Sequence, residues 1–225
     1  MKRKTAESKN NGFEGVVEGA SNKAAVAAAK RVAAGPVDDS LNPLVLVGPF
    51  GCGKTRILNA IAAEVASMQD GRAVISTTGR MFFEDYLNAL RNTDLKRFRA
   101  KYKMADLLIV DDADEIEKGR HFQSEALGIF DEIIEDCRQV VVALKKPFKK
   151  IKKIDGKFMG RIDTSATIKL DYPDEAMKRR YIKLYLSMNS ATLPRLAITN
   201  ILDSTAKSFW EVKDAVCTAL AENRR

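Results

Sequence analysis

The residues that most clearly indicate chemistry form a glycine-rich loop, Gly48-Pro-Phe-Gly-Cys-Gly-Lys54-Thr55. Its spacing is that of a phosphate-binding loop, in which glycines let successive backbone N–H groups face the phosphates. Lys54 is expected to reach the β- and γ-phosphates, and Thr55 to offer its hydroxyl to Mg²⁺. We therefore predict that ATP or ADP binds here with Mg²⁺, through Gly48, Pro49, Phe50, Gly51, Cys52, Gly53, Lys54 and Thr55.

A pair of acids ends a second apolar run, Leu107-Leu-Ile-Val-Asp111-Asp112. Acids that follow a strand are often only a solvated turn, but a phosphate loop upstream favours a role in nucleotide chemistry. We predict that Asp111 belongs to the Mg²⁺ shell and that Asp112 polarises an attacking water.

The charge of the chain favours an anionic partner. The net charge is +8, and nucleic acid is the first candidate for a basic protein. The predicted helix 94–101 has a basic face, and the stretch 145–153 contains six lysines. For the lysine stretch two interpretations stay open, a solvated loop and a contact with nucleic acid or an acidic protein.

An alternation of apolar strands and amphipathic helices is needed to position these residues. It predicts an α/β fold, a mostly parallel sheet with helices on both faces. Residues 1–12 are expected to be a disordered basic tail, 13–171 the nucleotide-binding domain and 172–225 a small helical lid domain. The predicted strands are 43–47, 72–77, 105–112, 139–144 and 166–170, and the helices between them are 21–34, 54–68, 79–92, 94–101 and 122–137.

The remaining composition excludes several classes of protein. No run of about 18 apolar residues occurs, so we expect no membrane span and no membrane partner. The three cysteines are widely spaced and form no metal-ligand pattern, which favours a reduced, cytoplasmic setting.

Two further segments carry a family resemblance, Phe13-Glu-Gly-Val-Val-Glu-Gly-Ala-Ser-Asn22 and Phe98-Arg99-Ala-Lys-Tyr102. With the two motifs above, they make the chain similar to the AAA+ ATPase domain of the bacterial replication initiator DnaA and its short relative Hda. The resemblance covers nearly everything from Phe13 onward. It implies an AAA+ phosphate-loop fold, a nucleotide-base contact by Val17 and Asn22, and single-stranded DNA contacts by Arg99 and Lys101.

The same resemblance gives a role to Arg161, in Phe158-Met-Gly-Arg161-Ile. It falls where the family has an arginine that reaches the nucleotide of a neighbouring subunit, so it implies catalysis in trans. Such an arginine implies ATP-dependent assembly, with a second copy of the chain or with a DnaA-like protein.

Two departures from the family pattern concern the γ-phosphate. Trp210 stands where the family has its lid arginine, and Ala143-Leu-Lys145 stands where the family has a polar sensor group. Loss of such groups should slow chemistry more than binding, so we expect weak or absent ATPase activity.

Several functions stay open on these grounds. The favoured hypothesis is a DnaA-like nucleotide switch in the initiation or regulation of DNA replication. The alternative is a helicase-loader or transposition-type AAA+ ATPase, which shares both motifs and a DNA partner. A small-molecule kinase and an interaction protein that ignores nucleotide are further hypotheses.

Overall fold

The computed structural model describes residues 12–147, 150 and 166–223. In this part of the chain five parallel strands form one sheet, and the helices lie between and after them. The strands are β1 (Leu44–Val47), β2 (Val74–Thr78), β3 (Leu107–Asp111), β4 (Gln139–Leu144) and β5 (Ala166–Lys169). The helices are α1 (Lys23–Ala34), α2 (Lys54–Ser67), α3 (Gly79–Arg91), α4 (Leu95–Lys103), α5 (Arg120–Glu135), α6 (Glu175–Met188), α7 (Arg195–Asp203) and α8 (Phe209–Glu222).

The sheet has the strand order β2-β3-β4-β1-β5 and is covered on both faces. Successive residues of a strand point to opposite faces, and β1 divides its side chains accordingly. Leu44 and Leu46 pack with α1 and α2, whereas Val45 and Val47 pack with α3, α4 and α5. Burial on both faces explains why β1 is apolar at every position. The predicted α/β architecture is confirmed.

Aromatic side chains hold the helix pair α3–α4 against the sheet. Phe82 is fully buried, and its ring centroid lies 4.5 Å from that of Tyr102, 5.3 Å from Phe122 and 5.5 Å from Phe98. These offset and edge-to-face contacts join α3, α4 and α5 into one core. Helix α4 is therefore a packed part of the domain, with only its outer face available to a partner.

The C-terminal helices have an apolar cluster of their own. It contains two side chains from each helix: Ile182, Leu186, Ile201, Leu202, Val212 and Val216. Helix α8 begins at a capping box, in which Ser208 and Glu211 satisfy each other's backbone N–H groups. This helical part fits the expected lid, although the boundary at residues 171 and 172 remains a prediction.

Some element boundaries differ from the sequence prediction. β2 begins at Val74 because the turn before it, with Gly71 at φ +80°, turns the Arg72 N–H back onto the Asp70 carboxylate, 3.2 Å away. Helix α4 continues to Lys103, and α5 starts two residues early, at Arg120. A short 3₁₀ helix, Ala113–Lys118, follows β3 and was not predicted. Among the described residues no helix has the length and apolarity needed to cross a membrane.

Candidate nucleotide site

The glycine-rich loop joins the carboxyl end of β1 to the first turn of α2. Gly51 and Gly53 have φ values of +74° and +104°, a backbone region that side chains with a Cβ rarely adopt. A Cβ on Gly48 would lie 2.8 Å from the Leu170 carbonyl oxygen, so the loop also needs glycine where it passes β5. Cys52 is buried beneath the loop, and burial raises the pKa of its thiol, with Lys54 opposing this. This thiol is therefore a packing group.

Lys54 is held inside the loop by neutral acceptors. Its side chain is only 6% exposed, and Nζ donates hydrogen bonds to the carbonyl oxygens of Gly48, at 2.7 Å, and Pro49, at 3.0 Å. No carboxylate competes for this ammonium in the bonds that it makes. The group is therefore fixed at the mouth of the loop, beside the N-terminus of α2, where a phosphate would gain from both charges.

Thr55 and Asp111, the two predicted Mg²⁺ ligands, meet at one edge of the sheet. Thr55 Oγ1 donates to Asp111 Oδ2 at 2.6 Å, although 56 residues separate them. The other oxygen, Oδ1, accepts from the Asp112 backbone N–H at 2.9 Å. The carboxyl ends of β1 and β3 lie on the same edge with only β4 between them, which brings these oxygen ligands together.

Asp112 lies beside this pair but faces a cation. Its backbone is left-handed, with φ +46°, and its Oδ1 lies 3.4 Å from Lys145 Nζ. Both side chains are about half exposed. Asp112 is thus paired with a lysine that the sequence prediction did not connect to it, and its role with water stays a prediction.

A cavity of about 490 Å³ opens next to the loop, between the N-terminal segment and the C-terminal helices. The predicted base contacts Val17 and Asn22 line it. Asn22 is buried, and its amide donates to Val17 O at 2.9 Å while its carbonyl accepts from Gly19 N at 2.8 Å. Asn22 therefore shapes the segment that carries Val17.

The other wall of this cavity was missed by sequence reasoning. It consists of side chains from α6 and the start of α8, including Tyr181, Tyr185 and Phe209. The rings of Tyr181 and Phe209 have centroids 5.0 Å apart. Aromatic residues four apart on a helix, such as Tyr181 and Tyr185, are the signal that could have indicated this wall, but the same spacing is common in cores.

The C-terminal helices contact the loop directly. Phe209 N–H donates to Gly51 O at 2.9 Å. The rings of Phe50 and Trp210 are 6.2 Å apart, and these side chains are 63% and 58% exposed. Trp210, at the position predicted for a lid arginine, therefore meets the loop through an aromatic contact.

The predicted DNA contacts on α4 are engaged in ion pairs. Arg99 donates two hydrogen bonds of 2.6 Å to the Glu125 carboxylate, and Lys101 Nζ lies 2.6 Å from Asp85 Oδ2. The hydrogen bonds from Arg99 lower the pKa of Glu125, although burial opposes this. Within the described residues no ion pair involves Lys96 or Arg97, on the same helix.

The predicted arginine Arg161 lies outside the described residues, as do the tail 1–11 and most of the lysine stretch 145–153. Of that stretch, the structure positions Lys145 next to Asp112 and Lys146 next to Glu117, with Lys146 Nζ 2.8 Å from the Glu117 carboxylate.

Comparison with known protein families shows to which family the chain belongs. The profile of the bacterial DnaA ATPase domain matches residues 8–169. The chain belongs to this DnaA family. The chromosomal replication initiator protein DnaA of Chlorobaculum tepidum is 28% identical over 209 residues, which are 93% of this chain and 42% of that protein. The chain spans less than half the length of the DnaA proteins that it matches in this way.

Solved DnaA structures agree with this assignment. Domain III of the Thermotoga maritima DnaA has a TM-score of 0.90 and 25% identity, with 96% of this chain and 90% of that one covered. A DnaA initiator bound to AMPPCP and single-stranded DNA has a TM-score of 0.83 and 23% identity, with 93% and 64% covered. The second likeness concerns the fold alone.

Proposed function

We propose that this chain binds ATP or ADP with Mg²⁺ and acts as a nucleotide switch in the initiation or regulation of DNA replication. The observation that carries this proposal is the meeting of Lys54, Thr55 and Asp111 at one sheet edge, with Thr55 Oγ1 2.6 Å from Asp111 Oδ2. The buried ammonium suits a terminal phosphate, and the two oxygens suit a hard divalent cation.

The donor set also fits a cation that arrives with nucleotide. Among the described residues no group of three or more His, Cys, Asp or Glu could hold a metal by itself. Mg²⁺ commonly takes one or two protein oxygens and completes its shell with phosphate and water. Thr55 and Asp111 would hold it, and bound Mg²⁺ would neutralise charge on the phosphates.

The base and sugar of the nucleotide would occupy the cavity next to the loop. Its volume of about 490 Å³ lies in the range of small-molecule sites, and its walls combine apolar and aromatic side chains with polar ones such as Asn22, Arg56 and Lys213. Val17 lies on one wall and Tyr181 on the other. Because the walls come from residues on both sides of the loop, we propose that 13–171 and 172–225 act as two domains that close on nucleotide.

Single-stranded DNA is the proposed nucleic-acid partner. A DnaA relative has been solved with AMPPCP and single-stranded DNA, and α4 of this chain has a strongly basic outer face. Arg99 and Lys101 remain the proposed contacts. Since both are paired with carboxylates, a DNA phosphate would have to share or replace Glu125 and Asp85.

Assembly and catalysis are proposed together. Arg161 would reach the nucleotide of a neighbouring copy, or of a DnaA-like protein, and would stabilise charge there. Asp112 would polarise the attacking water. We place this activity in the cytoplasm, in keeping with the unpaired state of Cys52, Cys137 and Cys217.

Hydrolysis by the isolated chain is expected to be slow. At the position of the family's lid arginine, the lid presents the neutral ring of Trp210 to the loop, so this side chain adds no positive charge when phosphate charge develops. The expected turnover lies well below roughly 1 s⁻¹, the lower end for typical enzymes. Trp210→Arg should raise the turnover number about tenfold or more, whereas Trp210→Phe should leave it unchanged. Fast turnover by the unaltered protein would contradict the expectation of slow hydrolysis.

Light scattering after size exclusion tests the switch. The measured mass of the unaltered protein is expected to rise above that of the monomer with ATP·Mg²⁺. With ADP it is expected to stay at the mass of the monomer. Arg161→Ala should abolish the rise, whereas Arg195→Ala, which removes an exposed arginine from α7, should not.

A titration with single-stranded DNA at two salt concentrations tests the nucleic-acid partner. The affinity for DNA should be lower at the higher salt concentration. A monomer indifferent to ATP and to DNA would contradict the proposal.

A further inference from the structure

One basic side chain lies on the C-terminal wall of the cavity next to the phosphate loop. Lys213 belongs to α8 and lines this cavity together with Tyr185 and Phe209. Its Nζ lies 6.0 Å from the centroid of the Tyr185 ring, at the limit of a cation–π contact. The residue is partly buried. Lys213 thus adds a positively charged hydrogen-bond donor to a wall whose other members are mainly apolar and aromatic.

The distance of Lys213 from the phosphate loop follows from helix geometry. Phe209, the first residue of α8, donates its N–H to Gly51 O at 2.9 Å, and a Cβ on Gly53 would lie 3.5 Å from the Phe209 ring. Lys213 comes four residues later, on the same face of the helix and about 6 Å further along its axis. The start of α8 therefore contacts the loop, and Lys213 lies about one helical turn beyond that contact.

A nucleotide whose phosphates fill the loop presents its remaining groups in a fixed order. The ribose is bonded to the α-phosphate through its 5′ carbon, and the base lies beyond the ribose. Apolar and aromatic lining residues such as Val17 and Tyr181 suit the flat faces of a base. A lysine ammonium offers only donors, and a sugar hydroxyl oxygen can accept from it. The ribose hydroxyls are therefore the groups that match both the position and the chemistry of Lys213.

We propose that Lys213 donates a hydrogen bond to a ribose hydroxyl of the bound nucleotide and makes this chain prefer ribonucleotides to deoxyribonucleotides. The inference rests on the proposed nucleotide function of the loop, and it names the sugar that the site selects. A hydrogen bond from a charged donor is stronger than one between neutral groups, and a deoxyribose carbon cannot accept it. The 2′- and 3′-hydroxyls offer the same chemistry, and the two deoxy forms of ATP distinguish them.

Another lysine of the C-terminal helices is a matched control. Lys183 has the same charge and belongs to α6, but it is exposed and does not line the cavity. Lys213→Met removes the ammonium and keeps an apolar side chain that can still pack against Tyr185. Lys213→Arg keeps a charged donor. If Lys213 only supported the wall of the cavity, its substitution would change the affinities for all nucleotides by the same factor.

Calorimetric titration of the whole chain with ATP, 2′-deoxy-ATP and 3′-deoxy-ATP, each with Mg²⁺, tests the proposal. The unaltered protein is expected to bind ATP about tenfold more tightly than at least one deoxy form. In Lys213→Met the affinity for ATP should fall to that for this deoxy form, which should itself change less than about twofold. Lys183→Met should keep the full preference for ATP, and Lys213→Arg most of it. Thermal melts of all four proteins check that folding is unchanged.

The outcomes that contradict the proposal are distinguishable. If the unaltered protein binds all three nucleotides equally, no ribose hydroxyl is recognised, and this inference fails while the proposed function of the loop stands. A preference for ATP that persists in Lys213→Met would assign the sugar contact to another residue. Equal losses for ATP and both deoxy forms in Lys213→Met would leave Lys213 a supporting role only. If the unaltered protein binds none of the three, the proposed function of the loop fails as well.

Discussion

Two regions of this molecule present cations, the phosphate loop and helix α4, and they hold them differently. In the loop, Lys54 is buried and bonded only to neutral carbonyl oxygens. On α4, Arg99 and Lys101 are half exposed and bonded to the carboxylates of Glu125 and Asp85. A ligand that binds Lys54 replaces neutral carbonyl groups as its partners. A ligand that binds Arg99 or Lys101 must replace charged carboxylates.

The loop is thus a preorganised site, whereas at α4 a ligand has to compete with carboxylates that already pair with the cations. Groups that already point at the ligand position lose little on binding, because no strong interaction has to be broken first. At α4 each new contact with phosphate is offset by the loss of a carboxylate partner, so the net gain is small and salt-dependent. We therefore expect large effects from variants at the loop and small effects from variants in the ion pairs of α4.

The largest expected effect concerns how α4 is attached. Phe82→Ala removes a fully buried ring that contacts Phe98 and Tyr102 of α4, and it should lower the free energy of unfolding by about 3–5 kcal/mol. Urea unfolding measures this change. Met81→Ala, one position earlier and 56% exposed, should stay within about 0.5 kcal/mol. A loss below about 1 kcal/mol for Phe82→Ala would mean that α3–α4 is a loosely attached arm.

The next effect tests the preorganised site. Lys54→Ala removes the buried ammonium from the loop, and charge-assisted hydrogen bonds contribute about 1.5–3 kcal/mol. ATP·Mg²⁺ affinity should therefore fall about ten- to hundredfold in calorimetry. Lys23→Ala, at the exposed start of α1, serves as the control for a lost positive charge. Equal affinities for Lys54→Ala and the unaltered protein would remove the central argument for the site.

The two regions also differ in how far the sequence predicts them. The phosphate loop is a backbone structure, and its glycines and the position of Lys54 follow from spacing alone. The meeting of Thr55 and Asp111 follows once a parallel sheet is predicted, since strand ends share an edge. By contrast, Arg99 and Glu125 lie 26 residues apart in the sequence, and their pairing depends on how α4 and α5 pack. The periodicity of the sequence does not specify that packing. Lys145 beside Asp112 likewise required the observed strand order.

A smaller effect is expected when Arg99 is released from its partner. Glu125→Gln removes the negative charge that holds the guanidinium, so binding of single-stranded DNA at low salt should tighten about threefold if Arg99 contacts a phosphate. Fluorescence anisotropy with a labelled oligonucleotide measures it. Glu175→Gln provides the same change of net charge on α6, in a pair with Arg179. Identical behaviour of the two variants would exclude Arg99 as a contact.

The smallest effect comes from the same ion pair and depends on pH. Hydrogen bonds from Arg99 hold the pKa of Glu125 below its ordinary value, against the opposing effect of burial. The pair's contribution to stability is therefore complete above the unfolded pKa, about 4.3, and is lost as the pH falls through the lower folded value. With Arg99 46% exposed, we expect only about 0.5 kcal/mol.

Urea unfolding of the unaltered protein and Glu125→Gln measures that contribution. At pH 7 the variant should be the less stable of the two, because a neutral amide replaces a carboxylate that Arg99 stabilises. As the pH falls through the lowered folded pKa of Glu125, the two stabilities should converge, since a protonated glutamate resembles glutamine. A difference that stays constant or grows toward acid would mean that the pair contributes no charge-dependent stability. Glu125 would then compete less strongly with a DNA phosphate for Arg99 than the geometry of the pair indicates.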